Sequence, residues 1–257
     1  MRAGGTVYPC QRLNRGFASC IEPSIVLRPV MTLALNRILL WLLMDLERRE
    51  TSACVTVQAG KAKRVVQVQR GQLVGAESNL KSERLGDMLV SEGLLDPLLL
   101  EPVAAEAARR NTLLGAQLVN DGLLSAGDLV AALDRQVTFR MAAALSMRGI
   151  VTADPPRSMQ SSVHVPMTVA VATAFRTWVP LAAIESDLLA SAEEDEAPQA
   201  LDDSSPAFSS LELGPAELRL ARRLTKGERL GDLLESGVPR EPVIRLVGAL
   251  RATGMWR

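Results

Sequence analysis

Side chains that could perform catalysis are few and widely separated in this sequence. The single histidine, His164, lies in an irregular segment between Ser162 and Pro166. No cysteine, second histidine or acidic cluster stands near it at the spacing of a zinc site or of a nucleophile and its base. We expect His164 to be an exposed or hydrogen-bonded loop residue. The sequence predicts no catalytic residue, no metal ligand and no enzyme activity.

The cysteines indicate a reducing compartment. Cys10, Cys20 and Cys54 form no C-x-x-C pair, and an odd number of cysteines without metal-site spacing is typical of reduced thiols. The sequence therefore predicts a cytoplasmic location. Because Cys54 begins an apolar segment, we expect it to be a small buried core residue.

The glycines and the acidic cluster also lack the patterns of known ligand sites. Gly86 and Gly115 belong to no phosphate-binding loop, because neither G-x-x-x-x-G-K-[ST] nor G-x-G-x-x-G follows a strand. We expect them to be close-packing positions. The contiguous acids of residues 193–196 do not converge on one ion, so a solvated tether is favoured over a metal site. The sequence predicts no bound cofactor.

The overall charge excludes binding that is driven by a global electrostatic field. The 257 residues contain 29 basic and 29 acidic side chains, so nucleic acid, an anionic membrane or an acidic substrate would need a local patch. Residues 1–30 mix Gly, Pro and Arg without a period. We expect them to form a poorly ordered tail without a secretory signal, with Met31 as an alternative natural start.

The clearest pattern is a repeat whose copies begin at residues 84 and 113, 29 residues apart. The copies read RLGDMLVSEGLL (84–95) and LLGAQLVNDGLL (113–124), and a looser version, RLGDLLESGV, covers residues 229–238. Each copy predicts a short helix, a turn at a capping glycine, Gly93 or Gly122, and a longer helix. Asp96 before Pro97 predicts the start of the first long helix, and Ser125 with Asp128 that of the second.

An apolar helix and a β-meander are predicted before the repeat. Apolar residues recur at three and four over residues 33–48, which indicates a helix with a wide buried face. Its apolar part is shorter than the about twenty residues of a membrane span, so a buried helix is favoured over a membrane-associated segment. Val-rich segments at 54–58, 64–69 and 72–76, with glycine turns between them, predict an antiparallel meander that the helix covers.

After the repeat, the sequence predicts two further units joined by a linker. Residues 149–165 indicate a loop, with an extended edge segment as an alternative, and residues 166–189 one helix. Acids, Ser and Pro in residues 190–210 predict a solvated linker. Residues 211–257 predict a separate, small all-α domain of winged-helix-like arrangement.

The C-terminal unit carries basic residues that could contact DNA phosphates. They are Arg219, Arg222, Arg223, Lys226 and Arg229. The same unit contains several acidic residues and no aromatic residues suited to base stacking, so a solvated basic face is favoured over DNA binding.

The order of elements over residues 31–189 resembles the PATAN-type domain. The similarity lies in the apolar helix, the meander ending in GQLVGAESN (71–79), and ERLGDMLVSEG (83–93). This sequence has Thr51-Ser52 where such domains commonly have Thr-Gly. The resemblance implies a bacterial signalling or motility protein that acts by protein–protein contact, with a receiver domain, a kinase or a motility component as its partner.

The repeat is also similar to the N-terminal domain of type II secretion and type IV pilus ATPases that binds cyclic di-GMP. That resemblance implies Arg84 and Gln136 as the ligand-binding residues. The match is partial, because Ala107 stands where the first unit needs its closing Gln, and Leu113 replaces the opening Arg of the second. Both losses remove polar groups that would contact the dinucleotide.

Together these patterns predict an α+β protein. An apolar helix with a small meander (31–80) packs on a helical tandem repeat (81–148), followed by a loop and helix (149–189). The favoured function is a non-enzymatic cytoplasmic adaptor without a membrane span. A cyclic di-GMP receptor is the alternative, and a DNA-binding regulator is the third hypothesis.

Overall fold

The computed structural model describes residues 25–27, 35–157, 163–191, 204 and 206–256. It has a mixed α+β fold with an antiparallel sheet, as the sequence predicts. Cys10, Cys20, the predicted tail as far as residue 24, and residues 192–203 of the predicted linker lie outside the described residues.

The helices and strands have the following bounds. The strands are β1 (Ile25–Leu27), β2 (Ala53–Ala59), β3 (Ala62–Gln69), β4 (Gln72–Ser78), β5 (Ile150–Asp154) and β6 (Val165–Pro166). The first helices are α1 (Arg37–Arg48), α2 (Leu85–Ser91), α3 (Pro97–Arg109), α4 (Leu114–Asn120), α5 (Ala126–Leu145), α6 (Met167–Thr177) and α7 (Leu181–Ser191). They are followed by α8 (Pro206–Ser209), α9 (Pro215–Thr225), α10 (Leu230–Glu235) and α11 (Arg240–Ala252).

Strands β2, β3 and β4 form the predicted antiparallel meander, joined by two-residue turns. In the second turn both Arg70 and Gly71 have positive φ, 48° and 73°, as a type I′ hairpin requires. Gly71 also packs tightly, since a Cβ there would lie 2.8 Å from the Cα of Glu47 in α1. The turn therefore rests against the end of α1.

The sheet is wider than the predicted meander. Its strand order is β1-β5-β2-β3-β4-β6, and β5 comes from the segment predicted as a loop or an edge. The prediction of a loop is wrong for residues 150–154, because β5 pairs with β2 on one side and β1 on the other. The edge strand that the alternative allowed is β6, at the end of the same segment. Strand β5 is only five residues long, and its partner β2 lies about a hundred residues earlier, so no local pattern predicts that β5 lies inside the sheet.

Helix α5 packs against β3 and β4 and supplies more of the sheet's cover than α1. Met141 and Leu145 of α5 join Leu39 and Leu43 of α1 in one core with the strand valines. The helix α1 predicted over residues 33–48 begins only after Asn36, whose side chain accepts a hydrogen bond from the Leu39 N–H at 3.0 Å.

The single helix predicted over residues 166–189 is two helices. Helices α6 and α7 meet at 108°, with Pro180 between them. Proline has no N–H to donate and restricts the residue before it, so the helix ends there. Among the described residues, no single helix has the length and apolar composition needed to cross a membrane.

The C-terminal helices do not pack as a separate domain. Helix α11 contacts α6 and α7, and its apolar residues belong to the same core as Phe175 and Ile184. Gly248 makes this possible, because a Cβ there would lie 2.4 Å from Cγ2 of Ile184. Helix α8, with buried Phe208, also lies inside the predicted linker. Residues 206–256 contain no strand, so no wing is present in that range.

Candidate functional site

The two repeated segments form helix–turn–helix units with the same hydrogen bonds. In the first, the N–H groups of Leu94 and Leu95 both donate to the Leu89 carbonyl, at 2.8 and 3.2 Å. In the second, Leu123 and Leu124 donate to Leu118, at 2.9 and 3.3 Å. The φ angles of the turn glycines are 71° for Gly93 and 70° for Gly122. We call α2–α3 and α4–α5 the first and second modules.

Side chains cap the second helix of each module as the sequence predicts. Asp96 accepts a hydrogen bond from the Leu98 N–H at 2.9 Å, and Pro97 occupies the first helical position. Ser125 accepts one from the Asp128 N–H at 3.0 Å. Each cap satisfies an amide that the helix itself leaves without an acceptor.

The modules interlock through equivalent leucine and glycine residues. A Cβ on Gly86 would lie 3.1 Å from Cδ2 of Leu114, and one on Gly115 would lie 3.4 Å from Cδ2 of Leu85. Within its own module, each glycine is also approached by a leucine 14 residues further along, Leu100 or Leu129. Gly86 and Gly115 are therefore close-packing positions, as predicted.

The modules have an apolar core of their own. It is built from residue pairs 29 positions apart, namely Leu89 with Leu118, Leu95 with Leu124, and Val103 with Ala132. These residues form a cluster distinct from the main core. The duplication thus produces a compact helical unit attached to the sheet domain.

Of the two residues expected to bind a cyclic dinucleotide, one contacts the residue that precedes the other. Gln136 is buried, and its Nε2 donates to the Glu83 carbonyl at 2.9 Å. Arg84, the next residue after Glu83, is exposed. The structure therefore brings Arg84 and Gln136 to neighbouring positions, but one amide hydrogen of Gln136 already serves an internal hydrogen bond.

Arg140 shares the carbonyl that Gln136 uses. Its Nε and Nη2 donate to the Glu83 carbonyl at 3.1 and 2.7 Å, and its Nη1 donates to the Ala76 carbonyl at 2.8 Å. Burial lowers the pKa of Arg140 from its ordinary value, although a guanidinium remains charged at neutral pH. Its hydrogen bonds join α5 to both β4 and the first module.

The Glu83 carboxylate forms a buried ion pair with Arg64 of β3. Nε of Arg64 lies 3.2 Å from each carboxylate oxygen, and Nη2 also donates to the carboxylate. Nη1 contacts the Met147 sulfur at 2.9 Å. Sequence reasoning missed this pair, although a charged residue at the head of a Val-rich strand is a usable signal, since buried charges need partners.

The remaining chemical candidates show no assembled site. His164 is exposed, and Cys54 is a buried free thiol, as expected. The residues that the structure describes include no group of three or more His, Cys, Asp or Glu side chains able to hold a metal ion. Of the predicted basic residues, Arg223 pairs with Glu228, whereas Arg219, Arg222, Lys226 and Arg229 are exposed.

Two open pockets of about 330 and 340 Å³ accompany this arrangement. The first contains Phe139 and Trp178 in an edge-to-face contact, with ring centroids 5.2 Å apart, beside Arg64. The second is lined by the ion pairs Arg176–Glu217 and Arg245–Glu241. The charged groups of both pockets already have internal partners, so neither pocket presents a free charge to a ligand.

Exposed leucines are the feature that packing does not explain. Leu98 is 82% exposed and Leu113 80%, and the neighbouring Leu94 and Leu99 are 41% and 39% exposed. We call Leu94, Leu98 and Leu99 the leucine tip. It lies at the turn of the first module and at the first residues of α3, where capping fixes the backbone.

Comparison with known proteins adds no relative. The chain matches no known family model, no curated protein and no solved structure.

Proposed function

We propose that this protein is a non-enzymatic regulatory adaptor that acts by protein–protein contact in bacterial signalling or motility. The observation that carries the proposal is the leucine tip, an exposed apolar surface on a capped helical module. Single exposed leucines are common, but several exposed leucines close together in the chain, at one turn and the helix start after it, favour an interaction surface. The PATAN-type resemblance points to a receiver domain, a kinase or a motility component as partner.

The rigidity of the modules supports this function. A binding surface loses less conformational entropy on association when its backbone is already fixed. Here the Gly93 turn, the Asp96 cap and the module core fix the backbone around Leu98. The surface is therefore preorganised for a partner.

Capture of partners from cells with full-length protein tests the proposal. We expect the protein to retain a discrete signalling or motility partner, and the Leu98→Glu variant to lose it. Leu113→Glu is the matched control, because Leu113 is equally exposed but lies outside the leucine tip. Failure to recover any partner under several conditions would count against the adaptor function.

A cyclic di-GMP receptor is the second candidate, and the position of Arg84 favours it. Arg84 is exposed beside Glu83, where Gln136 and Arg140 converge. Titration calorimetry with cyclic di-GMP tests this function directly. Micromolar binding that disappears in Arg84→Ala would favour the receptor function over the adaptor function. A titration without a binding signal would exclude the receptor function.

A further inference from the structure

We propose that the leucine tip of one copy binds the exposed basic face of α9 in a second copy. This inference rests on the proposed function, since both use the tip as a protein-binding surface. We call Leu218, Arg219, Arg222 and Lys226 the basic face. The two surfaces belong to different parts of the chain, α3 and α9.

The sequence around the leucine tip is acidic, and two of its carboxylates, Asp96 and Glu101, have no cationic partner among the described residues. Residues 91–108 contain Glu92, Asp96, Glu101 and Glu106 and no basic residue. Glu92 forms an ion pair with Arg135 at 2.8 Å, and Glu106 pairs with Arg109 and Arg110. Glu101 is exposed and makes no ion pair with a described residue. Asp96 accepts a backbone N–H, which leaves its charge without a cation. An apolar surface of this kind favours a partner that combines apolar and basic side chains.

Helix α9 presents such a combination to solvent. Leu220, Ala221 and Leu224 are buried, and on its flanks Glu217 pairs with Arg176, and Arg223 with Glu228. Leu218, Arg219 and Arg222 of α9 and Lys226, which follows the helix, are exposed, and their spacing of three and four residues places them on one side. Arg219, Arg222 and Lys226 make no ion pair within the described part of the chain.

The two surfaces complement each other in charge and in apolar character. Contact between them would place Leu218 among the tip leucines and the cations opposite Glu101 and Asp96. Because two different patches meet, the association is heterologous and builds a head-to-tail chain or a ring. Its electrostatic part is screened by salt.

Sedimentation velocity of the full-length protein tests the inference. We expect association beyond the monomer that grows with protein concentration and weakens at high salt. Leu98→Glu should weaken it by roughly tenfold or more, because the contact would lose an apolar side chain and would have to bury a carboxylate. Arg219→Glu with Arg222→Glu should also abolish it. Lys61→Glu with Lys63→Glu, at the exposed β2–β3 hairpin, changes the charge equally and should leave it intact.

A charge exchange gives the sharpest comparison. Glu101→Arg and Arg222→Glu should each weaken self-association, and mixing the two variants should restore association between them. A chain that stays monomeric at low salt would overturn the inference. It would also be overturned if the two charge-reversed variants associated as well as the wild type, alone and when mixed. Retention of duplex DNA by a monomeric chain, lost with Arg219→Glu and Arg222→Glu, would also overturn it.

The outcomes separate this inference from the proposed function. A monomeric protein that captures another partner through Leu98 overturns self-association and leaves the adaptor function standing. A protein that self-associates through the tip but binds no other protein supports the inference and contradicts the adaptor function.

Discussion

Glu83 connects the modules to the sheet with both its side chain and its backbone. Its carboxylate accepts hydrogen bonds from Arg64 of β3, and its backbone carbonyl accepts hydrogen bonds from Gln136 and Arg140 of α5. Buried polar groups are retained where every member has a partner. We infer that this junction fixes the orientation in which the first module is presented.

Neutralising Glu83 should therefore destabilise the protein strongly. Glu83→Gln leaves the Arg64 guanidinium buried without a counter-charge, and we expect a loss of about 3–5 kcal/mol in the free energy of unfolding. Urea denaturation measures this loss. Replacing both partners, with Arg64→Met and Glu83→Leu, should cost less than Glu83→Gln alone, and equal or larger losses would contradict a buried ion pair.

Asp134 should make the protein less stable as the pH rises, whereas a carboxylate in an ion pair makes it more stable. Burial in α5 raises the pKa of Asp134, so the folded state holds its proton more tightly than the unfolded state. Its contribution is most favourable below the ordinary pKa and is lost as pH rises through the raised value. We expect Asp134→Asn to raise the melting temperature slightly at neutral pH and not at acidic pH. The exposed Glu101→Gln is the control, and a gain that does not depend on pH would contradict the prediction.

At the scale of elements, the interlocked glycines explain why the repeat keeps its Leu-Gly pairs. Leu85 approaches Gly115, and Leu114 approaches Gly86, so the same dipeptide serves both sides of one contact. Arg84 and Leu113, the equivalent residues just before these pairs, differ in chemistry. The duplication preserves the packing residues and not the polar ones.

Adding a methyl group at the interlock should loosen the modules. In Gly86→Ala the new Cβ would lie 2.3 Å from Cδ1 of Leu100 and 3.1 Å from Cδ2 of Leu114, so both leucine side chains must shift. We expect this overpacking to cost about 1–3 kcal/mol, of which the higher helix propensity of Ala offsets up to about 1 kcal/mol. Gly127→Ala is the matched control, because its nearest atom, Oγ of Ser125, is 3.8 Å away. Faster amide exchange in α2 and α4 would report the effect locally. Equal stability of the two variants would contradict the interlock.

Local patterns in the sequence predict those elements whose signals lie within a few residues. The meander follows from alternating valines and glycine turns, and the module turns follow from Gly93 and Gly122 with the caps after them. The position of β5 depends on pairing with β2, which no local pattern records. Pro180 marked the end of α6, but the apolar residues on both sides of it favoured one continuous helix.

The candidate site was predictable only in part. Arg84 and Gln136 are named only by the resemblance of the repeat to a nucleotide-binding domain, and no local pattern predicts that Gln136 contacts the residue before Arg84. The roles of Arg64 and Arg140 depend on packing between α5 and the sheet. Exposure of Leu98 could not be read from the sequence, because the leucines around it include both buried residues, such as Leu95, and exposed ones.

At the scale of the whole molecule, one core joins the sheet to the C-terminal helices. Arg245 of α11 donates to the carbonyls of Phe175 and Val179, at 3.2 and 3.1 Å, and so caps the end of α6. A basic side chain is favourable at a helix C-terminus. Shared packing and hydrogen bonds thus join α6 to α11, across the boundary predicted between two domains.

Gly248→Ala tests whether this shared core is needed for stability. The new Cβ would meet Cγ2 of Ile184 at 2.4 Å, so we expect a loss of about 1–3 kcal/mol from overpacking and one cooperative unfolding transition for the whole chain. Gly231→Ala in α10 has nothing within 4 Å and should be neutral or slightly stabilising. Two separate thermal transitions, with only one shifted by Gly248→Ala, would instead favour independent domains.

A sheet and a shared helical core hold the pair of modules, and we propose that the leucine tip binds a partner protein. Quantitative capture of cellular partners by the wild type, Leu98→Glu and Leu113→Glu tests this claim most directly. We expect one discrete partner with the wild type and Leu113→Glu, and its loss with Leu98→Glu. A partner retained equally by all three proteins, or none recovered by any, would contradict the claim.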